Sequence, residues 1–360
     1  MAPKGVNESN HEFLCRNCEE TGEMPEISAE PSAAAEPCRS RAGLPRLSFA
    51  VADGEENALP SSCAFAMSPV TAATRDIGMA KRIETFSEIT DRYDVVLCDV
   101  WGVVHNGVDP FPKAAAALQA ARESGLAVVL ITNSPRLSWQ VVEQLRHIGV
   151  PDSAYDRIVT SGDVTRGLIS EGPKTVFLLG PERDKALLEG IGVERVPSGE
   201  AQSLVCTGFF DDETEKPEDY TDMLLDFQAR EVPMICANPD LVVERGHRII
   251  PCAGAMAAYY EQLGGKTRIA GKPHRPIYEA TLAAARELRG DFSAERVLAI
   301  GDGMPTDVRG ALNFGLDLLY ISGGIHAKEY TLNGETDEAI LNAYLERENA
   351  APKWWMPRLA

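Results

Sequence analysis

The 360-residue sequence lacks any run of apolar residues long enough to cross a membrane. A spanning helix needs about 18 or more consecutive apolar residues, and the N-terminus also lacks the basic and apolar regions of a secretory signal. Positive charge is scarce, because 35 Lys and Arg face 54 Asp and Glu, for a formal net charge of -19. This balance opposes binding to nucleic acid or to anionic membranes. We therefore expect a soluble, cytoplasmic protein that acts on a small molecule.

A complete zinc-binding pattern is also missing. Among eight cysteines, Cys15 and Cys18 have the CxxC spacing of half a zinc site, but no second CxxC or His pair completes it. Cys98, Cys206 and Cys236 lie in apolar runs, where a free cysteine behaves as a small core residue. We therefore expect no structural zinc.

The first 85 residues are rich in Ala, Pro, Ser and Glu and show little hydrophobic periodicity. Such a segment cannot bury enough apolar surface to offset its chain entropy, so residues 1–85 are predicted to be a disordered leader. The alternative is that translation of the natural protein starts at Met79. The sequence does not decide whether residues 1–78 belong to the natural protein.

From residue 86 onward, short apolar runs alternate with segments of helical spacing. The apolar runs at 95–98, 126–131 and 158–161 predict buried strands, and the segments between them predict helices. This alternation predicts an α/β fold with a parallel sheet covered on both faces.

A second alternation follows and closes on the turn signal Asn238-Pro239-Asp240. After it the first pattern resumes, with a helix predicted at 253–262 and a strand at 267–270. We therefore predict a core in two parts, an inserted α/β unit that can close over it, and a tail, in the order 86–171, 172–251, 252–345 and 346–360.

Polar side chains stand where several predicted strands end. In open α/β sheets the working residues lie at the carboxyl edge of the parallel strands. The residues in such positions are Asp99, Thr132 with Asn133, Lys272, and Asp302 with Asp307. A carboxylate such as Asp99 can also serve only to cap the next turn.

Together these residue types fit phosphoryl transfer. Carboxylates from different strand ends can share one hard cation such as Mg²⁺. The hydroxyl of Thr132, the amides near Asn133 and the ammonium of Lys272 suit the oxygens of a phosphoryl group. The pattern therefore favours transfer of a phosphoryl group to Asp99.

Five motifs make the chain resemble class IIA of the haloacid dehalogenase (HAD) superfamily: DVWGVVHNG, LITNSPR, ANPD, AGKPH and GDGMPTDVRGA. They lie in the family's order and span roughly residues 91–330. Members of this class include sugar-phosphate, nitrophenyl-phosphate and pyridoxal-phosphate phosphatases. The resemblance implies a HAD-like Rossmannoid parallel-sheet core with an inserted α/β C2-type cap. It also implies a phosphatase acting on a small phosphorylated metabolite.

The resemblance assigns the nucleophile and the metal ligands. Asp99 would attack phosphorus and form an aspartyl-phosphate. Asp302 and Asp307, together with Asp99 and the backbone carbonyl of Trp101, would hold Mg²⁺. Relatives with this cap often dimerise, so a homodimer is also expected.

The resemblance also assigns the residues around the phosphoryl group. Thr132 and Asn133 would bind the transferring group, and Lys272 would neutralise charge on it and on the nucleophile. Asn238 and Asp240, in the cap signature, would contact the substrate. The alternative for these two is that they form only a turn.

Trp101 departs from the family pattern, because phosphatases of the superfamily usually carry Asp two residues after the nucleophile. That Asp protonates the leaving oxygen and then activates water, which an indole cannot do. Losing general acid–base help typically costs about 10²- to 10⁴-fold in rate. Hydrolysis is therefore slow, restricted to good leaving groups, or assisted by another group such as His105, which can titrate near neutrality.

Two rival functions follow from Trp101. One is a non-catalytic domain that binds a phosphorylated ligand. The other is a haloacid dehalogenase, since those enzymes also carry an aromatic residue at this place, but they need no metal and have a different cap. Asp302, Asp307 and the ANPD signature argue against the second rival. If Trp101 limits the rate, the change Trp101→Asp should raise it.

Overall fold

The structure is a computed structural model that describes residues 79–245 and 248–360. Most of the predicted leader, residues 1–78, lies outside the described residues. Its last part does not fit the prediction of disorder, because Lys81–Arg82 form a strand that pairs with the C-terminal strand. Among the helices that the structure describes, none is both long and apolar enough to span a bilayer.

The core is a seven-stranded sheet in which every neighbouring pair is parallel. In spatial order its strands are Lys81–Arg82, Trp354–Met356, Asp317–Ile321, Val297–Gly301, Val95–Cys98, Ala127–Thr132 and Arg157–Thr160. All four residues of the Val95–Cys98 strand are buried, as expected for a strand covered on both faces.

Helices cover both faces of this sheet, and an apolar cluster lies under each face. The core helices are Pro112–Glu123, Ser138–Ile148, Ser161–Ser170, Arg275–Arg289, Arg309–Phe314 and Glu338–Arg347. Along the chain, the sheet grows in one direction from Val95–Cys98 and in the other from Val297–Gly301. The point between these two strands is the topological switch point, where α/β sheets bind ligands.

The inserted unit, here called the cap, has its own five-stranded parallel sheet. In spatial order its strands are Thr267–Ile269, Met234–Cys236, Ser203–Cys206, Thr175–Leu179 and Glu194–Arg195. Its α-helices are Thr221–Ala229 and Ala253–Gln262, and Val242–Arg245 forms a hairpin with Arg248–Pro251. A second small hairpin, in the core, joins Thr331–Leu332 to Glu335–Thr336.

Two predicted boundaries differ from the structure. The helix Ala253–Gln262 and the strand Thr267–Ile269 are both predicted to belong to the resumed core. The helix packs in the apolar cluster of the cap, and the strand pairs with Met234–Cys236, so both belong to the cap. The predicted tail contains a core strand, Trp354–Met356, whose Trp355 side chain is fully buried. Hydrophobic spacing identifies a strand but not the sheet that it joins, which explains both differences.

Candidate active site

Asp99 and Asp302 follow two neighbouring strands at the topological switch point. The strands are in register with Ile300 opposite Cys98, and the Asp99 backbone N–H donates to the Ile300 carbonyl at 2.8 Å. Asp307 lies on the short helical segment Met304–Val308 that follows the second strand. Carboxylate oxygens of the three aspartates lie within 4.8 Å of one another, and all three side chains are buried.

The loop that follows Asp317–Ile321 fixes Asp302. The backbone N–H of Ile325 donates to Asp302 Oδ2 at 2.8 Å. A Cβ at Gly324 would lie 1.9 Å from the same oxygen, so only glycine allows the backbone to approach this closely. Asp302 is therefore held by backbone from a neighbouring strand end.

Lys272 bonds two of the three clustered carboxylates. Its Nζ donates to Asp99 Oδ1 at 2.5 Å and to Asp307 Oδ1 at 2.7 Å. Burial alone would lower the pKa of Lys272, but the charges of Asp307 and Asp99 outweigh burial and raise that pKa well above its usual range. The lysine therefore remains a cation, as its predicted role requires.

One ammonium does not balance three buried carboxylates. Burial raises the pKa of Asp99 well above its usual range, and the nearby charge of Asp307 raises it further. Burial, followed by the charge of Asp307, raises the pKa of Asp302 to about 7. A cation with oxygen ligands would remove this repulsion and favour the ionised forms. The three carboxylates therefore fit a divalent metal ion.

Asn133 joins the core, the cap and the Lys272 loop. Its Oδ1 accepts from the backbone N–H of Lys272 at 2.7 Å, and its Nδ2 donates to Asp240 Oδ1 at 2.8 Å and to the Lys272 carbonyl at 3.3 Å. The neighbouring Thr132, at the end of its strand, is buried, and its hydroxyl accepts from the Ser134 N–H at 3.2 Å. The side chain of Asn133 thus positions Lys272 and Asp240, a role that spacing in the sequence did not predict.

A cavity of about 390 Å³ lies between the carboxyl edges of the core and cap sheets. Five residues selected from the sequence line it: Trp101, His105, Thr132, Asn238 and Asp240. Sequence reasoning missed Arg136, Asp184 and Thr207, which also line it. The last two follow the cap strands Thr175–Leu179 and Ser203–Cys206, so the rule applied to strand ends in the core would have selected them as well.

His105 does not have the properties expected of an acid–base group. It is 2% exposed, its Nδ1 accepts from the Gly107 N–H at 2.8 Å, and its ring meets the Trp101 indole edge-to-face at 5.0 Å. Burial lowers the pKa of His105 to about 4. The structure therefore contradicts the expectation that His105 titrates near neutrality.

Comparison with known proteins identifies the family. A haloacid dehalogenase-like hydrolase model matches residues 96–194, and a HAD-hydrolase-like model matches residues 269–346. A crystal structure of a haloacid dehalogenase-like hydrolase from Brucella suis is 53% identical, with a TM-score of 0.70. The match covers 77% of this chain and all of that one. The chain belongs to the haloacid dehalogenase-like hydrolase family.

Two further relatives have named activities. An acid sugar phosphatase of Staphylococcus epidermidis is 25% identical over 241 residues, which are 66% of this chain and 89% of that protein. A glycerol phosphate phosphatase of Mycobacterium tuberculosis, solved in complex with calcium, is 26% identical with a TM-score of 0.52. That match covers 66% of this chain and 68% of the other. The predicted α/β fold with parallel sheets and the predicted HAD family are both confirmed.

Proposed function

We propose that this HAD-family hydrolase is a Mg²⁺-dependent phosphatase that acts on a small phosphorylated metabolite through an aspartyl-phosphate on Asp99. The observation that carries the proposal is the cluster of Asp99, Asp302, Asp307 and Lys272 at the switch point of the core sheet. Val100 and Trp101, next to Asp99, line the cavity between core and cap. The named sugar and glycerol phosphate phosphatases among its relatives support the same reaction.

Asp99 supplies the nucleophilic oxygen. Lys272 binds Asp99 Oδ1, which orients the carboxylate and leaves its other oxygen for in-line attack on phosphorus. As the bond from Asp99 to phosphorus forms, the bond from phosphorus to the leaving oxygen breaks. Water then attacks phosphorus, breaks the bond to Asp99 and releases phosphate.

The groups around the nucleophile stabilise the transferring phosphoryl group. Mg²⁺, held by Asp99, Asp302, Asp307 and the Trp101 carbonyl, would neutralise its charge. Thr132, at the end of the adjacent strand, donates its hydroxyl to a phosphoryl oxygen, and the Lys272 ammonium offsets the negative charge that remains. Asn238 and Asp240 face the cavity from the cap and contact the rest of the substrate.

A substrate panel tests this function. Purified protein is incubated with p-nitrophenyl phosphate and with sugar, nucleotide, cofactor and glycerol phosphates, in Mg²⁺ or in EDTA. We expect phosphate release that requires Mg²⁺, because the carboxylate cluster needs a cation to hold an anionic substrate. Release that is equal in EDTA would contradict the metal-dependent mechanism.

A non-catalytic ligand-binding domain remains the second candidate, because Trp101 and the low pKa of His105 leave the loop after Asp99 without an evident acid–base group. Tight binding of a phosphorylated compound with no release from any ester would favour it. A dehalogenase is disfavoured, since its reaction has no use for three clustered carboxylates. The cytoplasmic location and the homodimer stay predictions from the sequence.

Asn133→Ala is expected to lower kcat by about 10²-fold, because misplacing a catalytic group by about 1 Å has effects of that size. The variant removes the acceptor of the Lys272 N–H and the donor to Asp240. It is also expected to lose about 1–3 kcal/mol of unfolding free energy for each buried group left unpaired. Phosphate release and urea denaturation measure both effects.

The matched control for this prediction is Asn313→Ala, which changes an exposed residue of the helix Arg309–Phe314. It should leave both quantities near those of the wild type. A wild-type kcat in folded Asn133→Ala would show that Asn133 does not position Lys272.

A further inference from the structure

The proposed phosphatase mechanism lacks a proton donor for the leaving oxygen. Trp101 has no titratable group, and His105 is 2% exposed, with its Nδ1 bonded to the Gly107 N–H. In an in-line displacement the leaving oxygen lies opposite the attacking one. Because Asp99 belongs to the core, the leaving group points toward the cap, and a donor is to be sought among cap residues that line the cavity.

The cap sheet directs its own carboxyl edge into this cavity. Its strands Thr175–Leu179, Ser203–Cys206 and Met234–Cys236 are parallel and adjacent. The residues that follow each of them line the cavity, among them Asp184, Thr207 and Asn238. Two ligand-binding edges of the kind typical of α/β sheets therefore face one space.

Three cap carboxyl groups line the cavity, and their surroundings differ. Asp240 accepts a hydrogen bond from Asn133, and Asp212 lies 3.8 Å from the Arg183 guanidinium. Asp184, on the short helical segment Glu182–Leu188, is only 5% exposed. Burial raises the pKa of Asp184, and the smaller opposing effects of Thr207, Arg183 and Arg136 do not reverse this. Burial raises the pKa of Asp240 as well. However, Asp240 Oδ1 is bonded to the Asn133 amide and Asp212 lies beside Arg183, so by its contacts Asp184 is the cap carboxyl group best placed to carry a proton.

Thr207 provides a second polar group beside Asp184. It is 5% exposed, and its hydroxyl makes no hydrogen bond of normal geometry within the described part of the chain. It nevertheless lies near enough to Asp184 to lower the pKa of that carboxyl group. A Cβ at position 180 would lie 1.9 Å from Thr207 Oγ1, so Gly180 makes room for the hydroxyl. Thr207 and Asp184 are therefore two neighbouring buried polar groups that line the cavity, where both can contact a polar ligand.

We propose that Asp184 is the acid–base group of this enzyme, acting from the cap in place of the Asp that Trp101 replaces, on phosphate esters of polyhydroxylated aliphatic alcohols. This inference rests on the proposed phosphatase function. As Asp99 attacks phosphorus and the ester bond breaks, the Asp184 proton moves to the leaving oxygen and the alcohol departs neutral. The Asp184 carboxylate then takes a proton from the water that attacks the aspartyl-phosphate, which restores both side chains. Thr207 bonds a second hydroxyl of the alcohol.

The choice of an aliphatic alcohol follows from its leaving-group chemistry. An alkoxide is a poor leaving group and gains most from protonation, whereas p-nitrophenolate leaves readily as an anion. An acid in the site therefore matters for the first class of ester and little for the second. The two ester classes accordingly separate proton donation from all other functions of the site.

The test compares Asp184→Asn with the wild type on glycerol phosphate and on p-nitrophenyl phosphate, with Mg²⁺ present. For glycerol phosphate we expect kcat/KM to fall by about 10²- to 10⁴-fold. For p-nitrophenyl phosphate, kcat/KM of the variant should stay within about tenfold of the wild-type value. This ratio reports the steps up to formation of the aspartyl-phosphate, in which nitrophenolate leaves without a proton. The kcat for this ester should fall, with a burst of about one nitrophenolate per enzyme, because hydrolysis of the aspartyl-phosphate has lost its base.

The matched control is Asp211→Asn, an exposed carboxyl group in the loop after the strand Ser203–Cys206. It should behave as the wild type on both esters. Equal losses of kcat/KM on both esters in Asp184→Asn, or no loss on glycerol phosphate, would overturn the assignment. If the wild type releases phosphate from neither ester, the phosphatase function itself fails, and this inference fails with it.

Discussion

Asp99→Asn is expected to abolish phosphate release from every ester, whatever its leaving group. An amide oxygen is too weak a nucleophile to form the acyl phosphate, and removal of a nucleophile costs on the order of 10⁶-fold in kcat in a well-studied protease. The effect differs in kind from that of Asp184→Asn, which should spare the first step with p-nitrophenyl phosphate. Steady-state assays on the two esters therefore separate a lost nucleophile from a lost acid.

The fold should survive this change. Asp99 is one of three clustered, buried carboxylates, and the Lys272 ammonium bonds only two of them, Asp99 and Asp307. Replacing Asp99 with a neutral amide therefore relieves repulsion when no metal is bound. Thermal denaturation in EDTA should show no loss of stability. Asp109→Asn, an exposed change in the loop that follows Asp99, is the matched control and should keep wild-type activity. Turnover by folded Asp99→Asn would contradict the aspartyl-phosphate mechanism.

The core of the candidate site was predictable because its residues follow local rules. Two runs of apolar residues end on carboxylates, Asp99 and Asp302, and buried parallel strands bring such ends to one edge. Lys272 was selected from its motif, and it lies in hydrogen-bond distance of Asp99 and Asp307. Here local pattern and tertiary structure agree.

The features that were not predicted depend on contacts between segments that are distant in the sequence. The strand Thr267–Ile269 continues the alternation of helices and strands that the core shows, and only its pairing with Met234–Cys236 places it in the cap. The titration of His105 depends on burial, which the sequence around a loop histidine does not reveal. Asn133 has a positioning role only because Lys272 and Asp240 come to it from positions more than one hundred residues away.

The two sheets together explain how a site can tolerate the loss of an acid on its own loop. In the core, Asp99 lies at one carboxyl edge with Asp302 and Asp307, the carboxylates proposed to bind the metal, while the cap contributes a second edge with Asp184 and Thr207. The attacked side of the phosphoryl group then belongs to the core and the leaving side to the cap. Proton transfer from the cap would be linked to the substrate class that the cap accepts.

Trp101→Asp is expected to raise kcat/KM for glycerol phosphate, because it places a carboxyl group where phosphatases of the superfamily carry their acid–base residue. The rise should be largest in an Asp184→Asn background, where it can approach the 10²- to 10⁴-fold typical of general acid–base catalysis. In the wild-type background it should be smaller, since Asp184 already donates a proton. The two substitutions are expected to be non-additive, because the carboxyl groups at positions 101 and 184 would serve the same proton transfer.

The matched control is Trp101→Asn, which removes the indole and adds a side chain of the same shape as Asp but cannot transfer the proton. Trp101 lines the cavity, so both variants enlarge it equally. If Trp101→Asn raises kcat/KM as much as Trp101→Asp, the gain comes from space rather than from proton transfer. If folded Trp101→Asp gives no rise in kcat/KM in either background, the indole at position 101 does not limit the rate. A carboxyl group on the core loop then contributes nothing to proton transfer in this enzyme.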